Sequence, residues 1–280
     1  MGKSLKFFLS LGLTMGLWAC ETKPQTLDGP SQEELRQEAE AVYDVIRTQF
    51  RQGSAKEMNQ IQKALLIDTT YAEAWRELSV AYLKRGMPHK WKPYMDKAVE
   101  HDAKTWQPWR GYLYLWFYRD YRKAIADFNA SDTLTPYIDH PQGHSVDYWR
   151  GIAYLGLKDY QNSIRYFDQH ISHETEESGE DWVEINAFLY RGLAQLEQKD
   201  TVAAKKDFHK IIHYFKKSAD AKYHLARIFH QQKQKDSALL MLSETIEDFE
   251  AGYSNSRPYV EALYQIYRED LANLEAEIAK

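Results

Sequence analysis

The single cysteine of this 280-residue chain is the residue whose type and position most clearly suggest chemistry. Cys20 directly follows Ala19, at the end of a mostly apolar stretch that begins at Phe7, and Lys3 and Lys6 make the start of the chain positive. A positive start, an apolar run too short to span a bilayer and a small residue before the cut are the layout of a cleaved secretory signal. A thiol just after the cut can carry a lipid, so we expect Cys20 to be the lipidation site.

The stretch from Leu17 to Cys20 resembles the lipobox of bacterial lipoproteins, in which the cysteine becomes the acylated first residue of the mature protein. Trp18 departs from the small or β-branched residue usual at that position. The resemblance implies a signal peptide over residues 1–19 and a lipid-anchored protein of the cell envelope, with the outer membrane favoured over the inner. Two alternatives stay open: an ordinary secretion signal with an incidental cysteine, and a cytoplasmic protein with an apolar N-terminus.

Histidines are the other residues that invite a chemical interpretation. His209 and His213 stand four residues apart, which suits two metal ligands on one helix face, and four more lie between positions 140 and 173. Spacing fixes no third ligand, and the sequence holds no His-Glu-x-x-His, glycine-rich phosphate loop or nucleophile elbow. We therefore predict no metal, no cofactor and no catalytic residue in a protein that is not an enzyme.

Composition narrows the class of protein further. The formal charge of −5 argues against a nucleic-acid partner. Since no cysteine follows Cys20, an exported fold must be held by its core and not by disulfides. Residues 21–34 are polar and contain Pro24, Gly29 and Pro30, so residues 20–35 are predicted to form a lipidated cysteine followed by a flexible tether.

A repeat of helical periodicity organises the remaining chain. Ala64 and Ala98 occupy equivalent places 34 residues apart, and Gly192 and Ala226 repeat that interval. Such self-similarity is typical of stacked helix pairs. Small residues on first helices alternate with aromatic residues on second helices, as in the pairs Gly111 and Phe128, Gly151 and Phe167, and Gly192 and Phe208. This pattern resembles the tetratricopeptide repeat.

The resemblance implies an all-α, right-handed α-solenoid of about six helix pairs over residues 36–256, closed by a long charged capping helix over residues 257–280. The interval between copies lengthens around Tyr137 to His144 and around the acidic stretch Glu174 to Asp181, so we expect two loop insertions there.

An arginine precedes the small residue of three first helices, at Arg110, Arg150 and Arg191. Asp127 and Asp207 stand just before the phenylalanine of the matching second helix in two of these copies, so we predict structural ion pairs between Arg110 and Asp127 and between Arg191 and Asp207. A ligand-binding role for the arginines is the alternative. Tyr166 replaces the aspartate in the third copy, which leaves Arg150 without an expected partner.

The family's groove-lining positions can be carried over by their offsets from each small residue. The segment from Trp106 to Tyr121 also holds more rings than one seam can bury, so some should line a surface. The predicted partner-binding groove consists of Tyr112, Leu115, Trp116, Tyr148, Ile152, Leu189, Tyr223, Arg227 and His230. An aromatic centre with charged ends suits a groove that holds a peptide or helix. The alternative is that these rings pack against the cap or the insertions.

Four Asp-Ser/Thr-containing sites resemble the O-glycan acceptor of exported Bacteroidetes proteins, and they begin at Asp68, Asp132, Asp200 and Asp236. Helix capping and turns explain these aspartates equally well. With the lipobox, the sites favour a Gram-negative, Bacteroidetes-like source.

Without visible chemistry, the array should act by binding. We expect a membrane-anchored scaffold or adaptor that binds a protein or peptide in the envelope and supports assembly of an outer-membrane or secretion complex, by analogy with other lipoproteins of this fold. The alternatives are a glycan- or peptidoglycan-associated binder that uses the tryptophan-rich helix and, third, the docking domain of an enzyme. A glycan binder should present exposed, coplanar rings.

Overall fold

A computed structural model describes Gly2 and residues 29–280; Cys20, the signal peptide and most of the predicted tether lie outside the described residues. The described part contains thirteen α-helices and no strand. The helices are α1 (Gln32–Gln49), α2 (Ala55–Ile67), α3 (Ala72–Lys84), α4 (Pro88–His101), α5 (Ala103–Phe117), α6 (Tyr121–Ser131), α7 (Val146–Gly156), α8 (Tyr160–Ser178), α9 (Ile185–Glu197), α10 (Thr201–Tyr214), α11 (Ala219–Gln231), α12 (Lys235–Glu250) and α13 (Arg268–Ala279).

The first twelve helices form six consecutive pairs, from α1 with α2 to α11 with α12. Each helix packs most extensively on its pair partner and next on the neighbouring pair, as in a solenoid. The last helix, α13, buries Leu271, Leu274 and Ile278 on one face against α11 and α12. Within residues 29–280, none of the helices has the length and apolar character that crossing a membrane requires.

The turns inside the pairs share one design. In three of them a basic residue adopts positive φ and an aspartate follows, as in Lys158 (φ 62°) before Asp159 and Lys199 (φ 66°) before Asp200. The aspartate side chain then accepts a hydrogen bond from the third backbone N–H of the next helix. The left-handed residue ends one helix and the aspartate caps the next, so a three-residue turn reverses the chain.

In each of the three central pairs, α5 with α6, α7 with α8 and α9 with α10, a glycine of the first helix packs on a phenylalanine ring of the second. A methyl group at Gly151 would lie 2.8 Å from the ring of Phe167, and one at Gly192 would lie 2.7 Å from the ring of Phe208. Both rings are fully buried. Only a residue without a side chain allows the two helices this close an approach, and dense packing of the ring stabilises the pair.

Three boundaries differ from those predicted. Ser31 caps α1, which therefore begins at Gln32, inside the stretch predicted as tether. The insertion near Tyr137 is a loop, but the acidic one is mostly helical, because α8 continues to Ser178 before Gly179 (φ 99°) ends it. The predicted capping helix over residues 257–280 is shorter, since helical structure begins only at Arg268.

Residues 251–267, which precede α13, are non-helical and are called the strap below. Gly252 adopts φ 84° directly after α12, and Pro258 disfavours helical conformation at Arg257 before it. Tyr259 and Tyr264 also adopt positive φ, at 71° and 55°. The strap consequently leaves the stack of pairs as an extended segment with two local reversals.

Candidate partner-binding face

Two of the three repeated arginines join the helices of their own pair. Arg110 donates from Nε and Nη2 to the two carboxylate oxygens of Asp127, at 2.8 and 2.7 Å, and Arg191 does the same with Asp207 at the same two distances. Hydrogen bonding to Asp127 raises the pKa of Arg110 above its usual value, against the opposing effect of burial. The remaining nitrogen of Arg191, Nη1, donates a hydrogen bond at 2.8 Å to Asp168 on the preceding pair. Each arginine is therefore fixed as a structural tie.

Arg150, for which the sequence offered no partner, is almost completely buried and finds its partners elsewhere. Its Nη1 donates to Asp147 at 2.6 Å, one turn earlier on the same helix, and its Nη2 donates to Asp132 at 2.5 Å. Asn129 and the Phe128 carbonyl accept its other hydrogen bonds, at 3.1 and 2.6 Å. Arg150 thus ties two neighbouring pairs together.

The first helices of the pairs form one continuous face, called the inner face below, and the nine predicted groove residues lie along it on α5, α7, α9 and α11. Six of them are buried: Tyr112, Leu115, Trp116, Tyr148, Ile152 and Leu189. Tyr223 and His230 are partly buried, and Arg227 is exposed. Arg257 of the strap covers Tyr112 and Trp116, which agrees with the alternative that these rings pack against the C-terminal segment. Tyr148 packs instead on Phe167 and His170.

The first half of the strap crosses the inner face from α11 towards α3. The Ala219 N–H donates to the Tyr253 carbonyl at 2.9 Å. Asn255 donates from its backbone N–H to Asp220 at 2.6 Å and from its amide to the Tyr190 hydroxyl at 2.9 Å. Burial raises the pKa of Asp220 to about 6. These are backbone and amide contacts that hold an extended chain in place.

Farther along, the strap meets the aromatic centre of the face. The Arg257 guanidinium lies 4.1 Å from the ring centre of Trp116 and donates to the Tyr112 hydroxyl at 2.5 Å. Lys84 of α3 lies 4.9 Å from the ring centre of Tyr259, which marks the farthest point of the excursion. These contacts connect positions of the chain that are up to 175 residues apart.

The strap then turns back towards the C-terminal pairs. Arg119 donates to the Glu261 carbonyl, and the Tyr264 hydroxyl donates to Glu197 on α9 at 3.1 Å. Ala262 and Ile266 are buried, and α13 follows at once. The strap is therefore a loop fixed at both ends, with its tip over the N-terminal half of the inner face.

The rings of α5 divide between two environments. The ring centre of Trp91 on α4 lies 5.3 Å from that of Tyr114 and 4.8 Å from that of Tyr118. Trp116 lies under the strap on the other side of the helix. All rings of α5 are buried or half-buried, and neighbouring Trp106 and Trp109 meet at 62°. This helix does not present the exposed, coplanar rings that the glycan-binding alternative requires.

Two cavities flank the strap on the inner face. One of about 260 Å³ lies at its tip and is lined by Arg76, Lys84, Trp109, Tyr112, Arg257 and Tyr259, among others. Another of about 380 Å³ lies at its return, where Glu197, Lys199, His224, Arg227 and Tyr264 contribute. The cavity at the return is thus mainly polar and charged, whereas the cavity at the tip is mainly apolar and aromatic, with Arg76, Lys84 and Arg257 among its lining residues.

Two histidines, His170 and His224, are buried and serve packing. His209 and His213 are exposed on α10. The Nδ1 of His170 lies 2.9 Å from the Ser145 hydroxyl in a buried site, and this burial lowers the pKa of His170 to about 4. His224 stacks on Phe208 at 5.4 Å, and burial lowers its pKa to about 3. Residues 29–280 hold no group of three side chains placed to bind a metal ion.

This fold is similar to those of known tetratricopeptide-repeat proteins. Residues 195–252 match the family model for the tetratricopeptide repeat. A solved structure of PilW, described as a widely conserved type IV pilus biogenesis factor, superposes with a TM-score of 0.60 at 12% identity over 86% of this chain and 98% of that one. The structure of pilF from Pseudomonas aeruginosa gives a TM-score of 0.57 at 16% identity, over 79% and 99% of the two chains.

A third similar structure is that of YrrB, described as a tetratricopeptide-repeat protein with an unusual peptide-binding site. It aligns with a TM-score of 0.50 at 16% identity, over 70% of this chain and 93% of that one. Among curated proteins, no sequence relative was found. The matched repeat and the shared architecture support a tetratricopeptide-repeat protein, built as a right-handed α-solenoid of six helix pairs with a C-terminal cap.

Proposed function

We propose that this protein is a scaffold that binds an extended protein segment on its inner face, without catalysing a reaction. The observation that carries the proposal is the strap, because it occupies the inner face through contacts that recognise extended polypeptide. Asp220 accepts a hydrogen bond from the backbone N–H of Asn255, and the Tyr190 hydroxyl accepts one from the side-chain amide of the same residue. A face that holds one extended segment in this way has the chemistry to hold another.

We further propose that the scaffold works in the cell envelope, anchored by a lipid on Cys20, in the outer membrane in preference to the inner. The sequence layout around Cys20 supports the anchor, and the similarity to PilW, described as a type IV pilus biogenesis factor, supports a role in assembling an envelope complex. A lipid would confine the scaffold to one surface and raise its concentration near membrane-bound partners.

The anchor is tested by fractionating membranes from cells that express the wild-type protein or Cys20→Ser. We expect the wild type in the membrane fraction, with the density of outer-membrane markers, and the variant in the soluble envelope fraction. Membrane partitioning of Cys20→Ser equal to that of the wild type would refute the anchor.

Partner binding is tested by cross-linking and affinity recovery from membranes. The variant combines Arg227→Glu, at an exposed position of the inner face, with Tyr223→Ala, at a partly buried one, and Lys206→Glu on a second helix is the matched charge control. We expect the partner to be recovered with the wild type and the control but lost with the inner-face variant. Equal recovery with all three folded proteins would contradict the assignment of this face.

A further inference from the structure

The strap holds its arginine in a box of aromatic rings. The Arg257 guanidinium carbon lies 4.1 Å from the ring centre of Trp116, 5.6 Å from that of Tyr112 and 5.8 Å from that of Trp149. The Tyr112 hydroxyl accepts a hydrogen bond from Nη2 at 2.5 Å. These rings come from α5 and α7, so two neighbouring pairs together build one box.

This box attracts the cation through ring faces and without an acidic partner. Among the described residues no carboxylate forms an ion pair with Arg257, and its Nε is buried without a hydrogen-bond acceptor. By contrast, the repeated arginines of the helix pairs form ion pairs with aspartates, as Arg191 does with Asp168 and Asp207. A planar, weakly hydrated guanidinium fits between rings better than the compact ammonium of lysine. The box is therefore better suited to arginine than to lysine.

Around the box, the inner face forms hydrogen bonds with the backbone of the strap. The Asn255 N–H donates to Asp220, and the Tyr253 carbonyl accepts from the Ala219 N–H. Such contacts are available to any extended segment, whereas the box distinguishes one side chain. Together they define a site for an extended segment with an arginine at one position.

The strap occupies this site with little apolar burial of its own. Between residues 251 and 259 no side chain is buried, and Tyr259 is 71% exposed. Its first half is consequently held by hydrogen bonds and the arginine, and by its covalent connection to α12 and α13. The connection keeps the local concentration of the strap high, at the millimolar level typical of short tethers.

We infer that the inner face binds partner segments that are extended and carry an arginine, and that the strap is an intramolecular competitor for the same site. This inference rests on the proposed function and specifies the partner class. A partner segment displaces the strap by placing its own arginine between Tyr112, Trp116 and Trp149. The strap sets the affinity threshold that a partner must exceed.

The test uses the full chain and a fluorescent peptide with the sequence of residues 251–262. Three peptide versions are compared, with arginine, lysine or glutamine at the position of Arg257. The protein is the wild type, an opened variant with Asn255→Ala and Arg257→Gln, or the control Ser256→Ala, an exposed strap position. Circular dichroism and Tm verify the fold of each, and fluorescence anisotropy gives Kd.

We expect the opened variant to bind the arginine peptide about tenfold more tightly than the wild type or Ser256→Ala does. On the opened variant, the arginine peptide should bind about tenfold more tightly than the glutamine peptide, with lysine between them. Equal binding of all three peptides would overturn the arginine site. Equal binding of the arginine peptide to the opened and wild-type proteins would overturn the competition.

Light scattering of the wild type at increasing concentration tests another occupant of the inner face, the strap of a second copy. A dimer that disappears in the opened variant would overturn the inference, and a monomer supports it. Failure here is distinguishable from failure of the proposed function. If the Tyr223 and Arg227 substitutions abolish partner recovery while no peptide version binds the opened variant, the scaffold proposal stands and the arginine site falls.

Discussion

The seam inside each helix pair and the inner face are built from adjacent positions, yet they are held by different contacts. Gly151 lies in a seam and touches Phe167, sixteen residues later in the chain. Tyr112 lies on the inner face and binds Arg257, 145 residues away. The seam contact recurs in three copies, whereas the strap contact occurs once. The repeat therefore secures the fold locally, and one distant segment covers part of the inner face.

The largest effect should follow from emptying a seam. Phe167→Ala removes a fully buried ring between two helices, and we expect it to lower the free energy of unfolding by about 3–5 kcal/mol. Urea denaturation followed by circular dichroism measures the loss. Leu66→Ala, at an 84% exposed position, is the control and should cost less than about 0.5 kcal/mol. Similar losses for the two variants would show that the seam does not dominate stability.

A smaller loss should follow at the polar edge of a seam, where Arg191 binds two aspartates of different exposure. The side chain of Asp207 is 3% exposed and that of Asp168 is 58% exposed. Asp207→Ala leaves the arginine partly unpaired in a buried site, at a cost of about 3 kcal/mol, whereas Asp168→Ala should cost less than about 1 kcal/mol. Equal destabilisation in urea would contradict this difference between the two partners.

Ionisation between two neighbouring pairs, where His224 of α11 stacks on Phe208 of α10, gives the third prediction. Both ring nitrogens of His224 are buried without a partner among the described residues, and the equivalent positions hold Trp149 and Tyr190. The pKa of His224 in the folded state is about 3, below that of an unfolded histidine. Between these two values the unfolded chain binds more protons, so stability falls as the pH falls from about 6.5.

We therefore expect His224→Phe to be more stable than the wild type at pH 5 by on the order of 1–2 kcal/mol, with a smaller difference at pH 7.5. His170 contributes its own pH dependence to both proteins, so it cancels in the comparison. The exposed His213→Phe is the control. A stability difference that does not change between the two pH values would rule out this origin.

The smallest effect on global stability should come from the strap. Arg257→Gln removes contacts of one side chain with three rings, and we expect less than about 1 kcal/mol of change in unfolding free energy. Hydrogen exchange should nevertheless accelerate in residues 251–262, where the Asn255 N–H loses protection, while the seams stay protected. A drop in Tm as large as that of Phe167→Ala would show that the strap is part of the core.

Sequence alone predicted what the repeat determines. The 34-residue interval and the alternation of Gly192 with Phe208 lead directly to stacked pairs, because the three central pairs bury the same contact. The six-pair α-solenoid expected from this pattern is confirmed by the fold and by its structural neighbours.

Single, long-range contacts could not be predicted in this way. Nothing in the repeat indicates that Asp132 completes the site of Arg150, since that aspartate lies in an inter-pair turn. The charge of residues 257–280 predicts one capping helix, although Pro258 is a signal that helical structure is interrupted near its start. Its path over Trp116 depends on the assembled inner face, which exists only after the pairs have stacked.

The span of the strap has a mechanical consequence. In a repeat array each pair contacts only its neighbours, so the array can bend at every interface between pairs. The strap follows α12 of the sixth pair and contacts Lys84 of the second pair, so it links two pairs that are four interfaces apart. Stretching the array pulls the strap taut, and releasing the strap gives the four interfaces between those pairs independent freedom. We therefore expect the stiffness of the array to depend on whether the strap is in place.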